Sequence, residues 1–365
     1  MLEQVADAFK RKDYQTAARI LSTLVKQTPQ DAWVQFYVGR LYEETDKLEA
    51  AEKVYRQLLR STTHLKIVVQ ARQGLQRLED MAKKRRRQAI AEATATPSNM
   101  ELGVLILEPL SPELKLVAAQ KFARIMHSDP YTARLQLPSR GWRLYRLGPV
   151  GELRFYTDQL RQAEIPSFSA SIADLQKINV YGVNYFQSWA LQTVVTCHDE
   201  LGQIGSLTFD WSEVSQRVEG LLPIFEEVVD FDARHKLQRK TKTLDYVQFC
   251  DLHLPARRTI LRLCDRNYQF QQGIVFSQKQ EDVQPLNQTT TRNNWNNLIA
   301  FLNKQVPQKP AWSDFTTFAE TAIDQTELLK RIKSHIDLSR RKETLWDPAF
   351  QLYSGLVFLE KTFEG

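Results

Sequence analysis

Along the first eighty positions apolar residues recur three and four apart, and from about position 101 the recurrence shortens to two over several short runs. The longer spacing keeps one face of a helix apolar, and a spacing of two does the same for a strand. The chain therefore reads as helical at first and mixed thereafter. The helical part also repeats itself. DYQTAARILSTLVKQTP aligns with KLEAAEKVYRQLLRSTT, pairing Tyr14 with Leu48, Ala17 with Ala51, Leu21 with Tyr55, Leu24 with Leu58 and Val25 with Leu59. Every offset is 34 residues, and Val5 and Gly39 continue the register in the preceding segment.

This period and residue set resemble the tetratricopeptide repeat family. The resemblance implies stacked pairs of antiparallel helices over residues 1–82, a surface that binds another protein and performs no chemistry. In the family pattern Gly39 lets one helix of a pair approach the other, Tyr42 fills the space beside it, Ala17 and Ala51 occupy the tightest crossings, and Pro29 ends the first repeat. Gln35, Leu58 and Thr63 depart from the usual aromatic, Ala and Pro. KIVVQARQGLQRLEDMAKK follows as a third, degenerate unit with Gly74 one position out of register. The resemblance places Phe9, Lys10, Trp33, Phe36, Arg40, Glu43 and Glu44 in a concave partner-binding groove, with Leu2 and Ala6 beside them. Packing between neighbouring helices is the alternative for Phe9, Trp33 and Phe36. Family members that clamp a C-terminal carboxylate do so with basic and amide groups. Here Glu43 and Glu44 accompany Arg40 and Lys10, so that clamp is not reproduced. Some short members assist the assembly of membrane or photosynthetic complexes, a role with which this array is compatible.

Residues 83–100, KKRRRQAIAEATATPSNM, lose the apolar period and read as a basic linker whose first half continues the last helix. Beyond it the order is strand (GVLILE, 103–108), helix after Ser111, strands over TARLQLP (132–138) and WRLYRLG (142–148), helix (151–164) and strand (IPSFSASI). That βαββαβ order predicts a ferredoxin-like α+β domain over 101–175. Residues 176–305 read as a β-rich α+β domain. Its strands are NVYGVNYF, ALQTVVTCHD, GSLTFDW, LDYVQFCDLHL, TILRLCD and YQFQQGIVF; its helices cover 212–229, broken at Pro223, and 293–305. A small barrel or pleckstrin-type module and a second α/β sandwich both fit that reading. Residues 306–365 form a helical C-terminal region, with stripes at Phe315, Ala319, Ala322 and Ile323 and at Leu328, Leu329, Ile332 and Ile336. The apolar stretch 349–359 falls short of the roughly 20 residues a membrane-spanning helix needs, and is expected to pack back on the core, a partner-binding helix being the alternative.

A hydrophobic fraction of 42% and a charged fraction of 25% belong to an ordinary folded chain rather than a disordered one. The net charge of +6 is clustered. Lys83, Lys84, Arg85, Arg86 and Arg87 form one run; Arg234, Lys236, Arg239, Lys240 and Lys242 form another. Lys330, Arg331, Lys333, Arg340, Arg341 and Lys342 make a third. Such runs are either solvated helix ends or contacts to phosphates and anionic headgroups. They define a second reading, binding to nucleic acid or to an anionic membrane surface.

Chemistry is sparse. No phosphate loop, dinucleotide fingerprint, HExxH or GxSxG occurs, so neither an enzyme nor a cofactor is expected. Cys197, His198, Cys250, His253 and Cys264 are the most metal-like set, but strand residues one or three apart point to opposite faces, and no metal is expected. Asp210, Asp230, Asp232 and Asp251 lack a companion nucleophile, and Asp210 and Ser212 read as helix caps. Trp142 and Tyr145 are the only aromatics on the central strands, beside Leu105 and Leu107. That leaves little for RNA bases to stack on and favours a protein-contact role for 101–175. Three irregularly spaced cysteines and an N-terminus without a secretory layout point to the cytoplasm, with a peripheral membrane location left open.

Overall fold

Asp13 and Asp31 start two of the N-terminal helices by accepting backbone N–H groups, from Thr16 in one case and from Trp33 and Val34 in the other. The helices are α1 (Leu2–Lys10), α2 (Tyr14–Gln27), α3 (Ala32–Glu44), α4 (Leu48–Ser61) and α5 (Leu65–Ala93). The computed structural model describes residues 1–190, 192–231, 237–276, 290–338 and 344–363. Its contacts divide the chain into units 1–92 and 93–365. Helix α5 runs unbroken through the segment read as a basic linker, as far as Ala93.

The second unit begins with β1 (Leu102–Leu107), α6 (Pro112–Met126), α7 (Pro130–Gln136), β2 (Arg143–Pro149), α8 (Val150–Gln162), β3 (Ser167–Ser171) and α9 (Ile172–Gln176). These three strands form a sheet in the order β2-β1-β3, with β1 antiparallel to both neighbours. The fourth strand of the expected βαββαβ order, over 132–138, is instead helix α7. Asp129 caps it through Thr132 and Pro130 occupies its first turn. Ala133 and Leu137, four apart, are buried, whereas Leu135 between them is 61% exposed. The alternation in TARLQLP was therefore an accident of a helical spacing.

There follow β4 (Asn179–Ser188), β5 (Thr193–His198), β6 (Ile204–Phe209), β7 (Gln216–Phe231), β8 (Leu237–Leu254), β9 (Thr259–Cys264), α10 (Thr291–Gln305), β10 (Ala311–Trp312), α11 (Phe315–Ala322), α12 (Thr326–Leu329) and α13 (Trp346–Phe363). The strands make one open mixed sheet in the order β10-β7-β8-β9-β4-β5-β6, so this region is not a barrel. The helix expected over 212–229 is strand β7. Val214, Val218 and Leu222 are buried at a spacing of four, which a helix and a strand share; the intervening inward positions are Gln216 and Gly220, which conceal the period of two. Asp210 caps only a single turn, Trp211–Glu213. The strand expected over 268–276 is irregular chain. Gly273 adopts a positive φ of 69° there, and Tyr268 and Phe270 pack on the sheet from loops. In the C-terminal region the second helical stripe ends at Leu329, and Ile336 reaches the core from irregular chain.

The large sheet is buried on both faces. Cys250, Leu252 and Leu254 of β8, with Leu261 and Leu263 of β9, face Trp295, Leu298 and Leu302 of α10. Val247, Phe249, Ile260 and Cys264 face α11–α13. That second core also takes in Val104, Ile106, Trp142 and Phe168 of the small sheet, so the segments 101–175, 176–305 and 306–365 share one interior. Helix α13 lies at its centre. Phe350, Leu352, Tyr353 and Phe358 are buried around its circumference, as expected for a helix apolar on every side. The apolar stretch 349–359 thus packs within the core.

Polar groups fix where α13 sits. The same alternation that turns Val247 and Phe249 toward α13 turns Asp251 and His253 that way, and Arg262 arrives from the neighbouring β9. The Arg262 guanidinium donates to both Asp251 carboxylate oxygens (2.9 and 2.7 Å), to Gln351 of α13 (2.9 Å) and to the Ser334 carbonyl (2.7 Å). Ser354 of α13 donates to Asp251 (2.6 Å), and its hydroxyl lies 3.0 Å from His253 Nε2. Gln216 donates to the Val357 carbonyl (2.6 Å) and accepts from Trp312 (3.1 Å).

A buried ion pair with one partner removed leaves an uncompensated charge that costs about 3–5 kcal/mol. Arg262→Met in the full chain is accordingly expected to lower the stability of the 93–365 unit by that amount in urea unfolding followed by tryptophan fluorescence. Asp251→Leu combined with Arg262→Met should lose clearly less than the sum of the two single changes. Additive losses would show that the two side chains act independently.

Candidate protein-binding site

Within the helical array, Tyr55 of α4 is the pivot. Its ring fills the space beside Gly39 of α3 and Gly74 of α5; a Cβ at either glycine would stand 2.7 or 2.5 Å from the ring. Only glycine lets both neighbouring helices approach this closely. The Tyr55 hydroxyl donates to Glu43 (2.7 Å), and Glu43 also receives a two-pronged bond from Arg77 of α5 (2.6 and 2.9 Å). Burial alone would raise the Glu43 carboxyl, but the hydrogen bonds from Arg77 and Tyr55 and the Arg77 charge hold it below its ordinary value. Burial and then the bond to Glu43 push the Tyr55 phenol well up. A carboxylate thus ties three consecutive helices together.

Residues 8–64 match the tetratricopeptide repeat family. The N-terminal helices are a tetratricopeptide array. No curated protein and no solved structure matches the chain.

The array engages many of the residues assigned to its groove in its own packing. Phe9 and Phe36 are buried, Phe36 between Tyr37 and Tyr55. The Arg40 guanidinium lies 5.0 Å above the Phe9 ring. Glu44 accepts from Tyr14 (2.8 Å), and Glu43 is occupied as described. Lys10 is exposed beside Asp7. Trp33 is half-buried, edge-on to Phe36 and to His64. Next to His64 in the chain is Leu65, 79% exposed, and one turn further along α5 is the exposed Val69. The sequence reading missed this pair. The signal was present in their spacing of four, but the degenerate third unit gave no register from which to assign a face.

The basic run lies on α5, which continues through the first half of the 83–100 segment as far as Ala93. Successive helix residues are turned by about 100°, so five consecutive cations surround the helix and cannot build one face. Lys83 pairs with Glu79 (2.7 Å) and Arg85 with Asp46. In the second run Lys240 and Lys242 are exposed on β8; Arg234, Lys236 and the Arg239 side chain lie outside the described residues. In the third, Lys330 pairs with Glu327 and Lys333 with Glu200, and Arg340, Arg341 and Lys342 lie outside the described residues.

In the 93–365 unit the remaining candidates are structural. Cys197, Cys250 and Cys264 are free and buried, and burial pushes the Cys264 thiol up to about 11. Among the described residues no group of three metal-ligating side chains comes together. Asp251 and His253 belong to the buried network. Asp232 and the Asp230 side chain lie outside the described residues. Trp142 is not on an open sheet face but in the core, against Phe168 and Trp312 at 4.8 and 4.9 Å, and Tyr145 packs on Phe122. Among the described residues no helix is long and apolar enough to cross a membrane.

Gly74→Ala should overpack the Tyr55 contact at a cost of about 1–3 kcal/mol. Hydrogen exchange by mass spectrometry should show lost protection confined to α3–α5, and unchanged protection there would refute this packing. A second prediction concerns His335, which is largely buried. Burial first, and then the Arg262 charge, push its pKa down to about 4 against an opposing pull from Glu200. The unfolded chain takes up this proton near pH 6.5 and the folded one only near 4. Stability attributable to His335 is therefore present above pH 6.5 and is lost as pH falls toward 4, with a slope approaching about 1.4 kcal/mol per pH unit. His335→Asn, which tolerates the left-handed backbone at this position (φ 51°), should flatten that part of the profile in urea titrations at successive pH values.

Proposed function

We propose that this chain is a non-enzymatic adaptor or assembly factor, in which the tetratricopeptide array binds one partner protein and the 93–365 unit supplies a second contact surface. Tetratricopeptide repeats generally mediate protein–protein interaction, and the observation that carries the reading is the exposure of Leu65 and Val69 one turn apart on α5, next to His64 and the half-buried Trp33 that meets it. Exposed apolar side chains grouped on one surface mark interaction sites. The second unit carries its own group on α6 and α7, where Leu114, Leu116, Val117, Tyr131 and Leu135 are all exposed.

The closest approach to a catalytic constellation argues for the same reading. Ser354, His253 and Asp251 are each fully buried, and Asp251 accepts its bond from Ser354 in addition to those from Arg262. Substrate has no access to a hydroxyl at 0% exposure, and the carboxylate is occupied in neutralising a guanidinium. The reading places the protein in the cytoplasm, where three unpaired thiols remain reduced.

The test begins with affinity capture from the native cell by the full chain, with the captured protein identified by mass spectrometry and its affinity then measured directly. Truncating an interface anchor typically loses about 2 kcal/mol, some thirtyfold in Kd. Trp33→Ala and Leu65→Asp are expected to weaken the partner by that order; Leu65 is exposed enough for its change to leave the fold intact. Replacing Lys83, Lys84, Arg85, Arg86 and Arg87 by Gln should change the affinity only a few fold. Loss of binding in that variant alone, with a steep fall in affinity as salt rises, would assign the interaction to the charged helix instead.

A further inference from the structure

On α7, Tyr131 and Leu135 are four residues apart and face away from the buried Ala133 and Leu137. On α6 the buried face is Ala118, Ala119, Phe122 and Ala123, and Leu114, Leu116 and Val117 lie on the opposite arc. All five of these outward apolar side chains are more than half exposed. Two bonds set the start of α6 beside the end of α7. Leu110 donates its N–H to the Pro138 carbonyl (3.0 Å), and Lys115 donates to Ser139 (3.0 Å). Cations are interleaved with the apolar groups. Arg124 stands two turns along α6 from Val117 on the same face, Arg134 adjoins Leu135, and Arg140 follows Ser139. All three arginines are exposed and form no ion pair among the described residues. From Ser111 to Arg143 the chain carries six cations and two carboxylates. Of the cations, Lys121 is paired with Glu164. Both carboxylates are engaged at helix starts. Asp129 accepts from the Thr132 N–H (2.9 Å), and bonds from its own N–H and the Ser111 hydroxyl hold the Glu113 carboxyl below its ordinary pKa.

We infer that the α6–α7 surface docks on an anionic lipid bilayer, its five apolar side chains entering the acyl boundary and its three unpaired arginines meeting lipid phosphates. The inference rests on the second contact surface of the proposed function and names what covers it. Charge selects the occupant. An apolar helix face flanked by cations is held in the plane of an anionic interface by burial and by electrostatic attraction together. Burial alone would suit any hydrophobic partner, but three free guanidinium groups beside it need anions at the same level. A leaflet supplies phosphates on every side, and the guanidinium fork fits them. A protein partner would have to offer carboxylates and recesses in matching positions, whereas a fluid bilayer needs no matching shape. Arginine also suits the depth, because its stem stays among apolar groups while its head reaches water and phosphate. Tyr131, the most exposed of the five, has the amphipathic ring that settles at headgroup level.

The experiment titrates the full chain with vesicles of phosphatidylcholine alone and of phosphatidylcholine mixed with phosphatidylserine. The protein is expected to bind the mixed vesicles about tenfold more tightly or better, and to lose affinity as salt rises. Leu116→Gln combined with Leu135→Gln should weaken that binding about tenfold or more, and so should Arg124→Gln, Arg134→Gln and Arg140→Gln together. All five side chains are exposed, so circular dichroism and melting temperature should not change. Leu135→Cys carrying an environment-sensitive dye should shift to the blue on mixed vesicles; the three native cysteines are buried, which keeps the label at one place. Replacing Lys83, Lys84, Arg85, Arg86 and Arg87 by Gln should leave vesicle binding within a few fold. Absence of binding to mixed vesicles, binding that survives both sets of Gln changes, or binding lost only in the Lys83–Arg87 variant would each overturn the inference. A dye that stays unshifted on bound vesicles would overturn it too, since the contact would then be with headgroup charge alone. If vesicles stay unbound and the arginine variant instead loses a captured acidic protein, the surface belongs to that protein. The vesicle assay contains no partner protein, so its failure leaves the reading of the array standing.

Discussion

The Arg262 guanidinium and the Asp251 carboxylate meet in the middle of the 93–365 unit with almost no access to water. Removing either charge from water costs several kcal/mol, a penalty met only when both groups find every partner they need. Here the partners come from four directions: β8 and β9 of the sheet, helix α13, and the chain at Ser334. An apolar helix such as α13 has no intrinsic reason to choose one rotation over another, because each face is equally content in a hydrophobic interior. Gln351 and Ser354 remove that freedom. Once α13 is set, Phe350 falls into the space left open at Gly220 and Tyr353 meets Trp142 and Phe318, so both sheets are positioned against the same helix.

The tetratricopeptide array uses the same device on a smaller scale. Glu43 accepts from Tyr55 and Arg77 and so fixes three helices whose apolar contacts alone would allow them to slide. This has a functional consequence. A repeat array built from only five helices has few side chains to divide between holding itself together and holding a partner. Phe9, Phe36, Arg40 and Glu43 are committed to the first task.

Several of the exposed apolar side chains fall in groups. They lie on the start of α5, on the α6–α7 pair and on the outer edge of the large sheet. Some ionisable groups are paired within the molecule: Lys83 with Glu79, Lys330 with Glu327 and Arg257 with Glu213.

The repeat register was fully legible in the sequence, because Tyr14, Ala17, Leu21 and Leu24 recur as Leu48, Ala51, Tyr55 and Leu58 and each repeat contacts only its neighbours. Local periodicity likewise identified most of the strands and the terminal helices. It failed where two periods coincide. Val214, Val218 and Leu222 fit a helix and a strand equally, and only the neighbouring β8 decided the matter by supplying the ladder. Ala133 and Leu137 posed the same ambiguity in reverse, resolved by the Asp129 cap and by which side of the segment found a core. The basic run was plain to read, but its winding around α5 was not. Strand order, the single interior shared by three sequence segments, and the meeting of Asp251, Arg262 and Ser354 belong to the tertiary structure alone. The last of these joins residues 103 positions apart, and no local spacing encodes a contact whose two halves are brought together only by the packing of the whole unit.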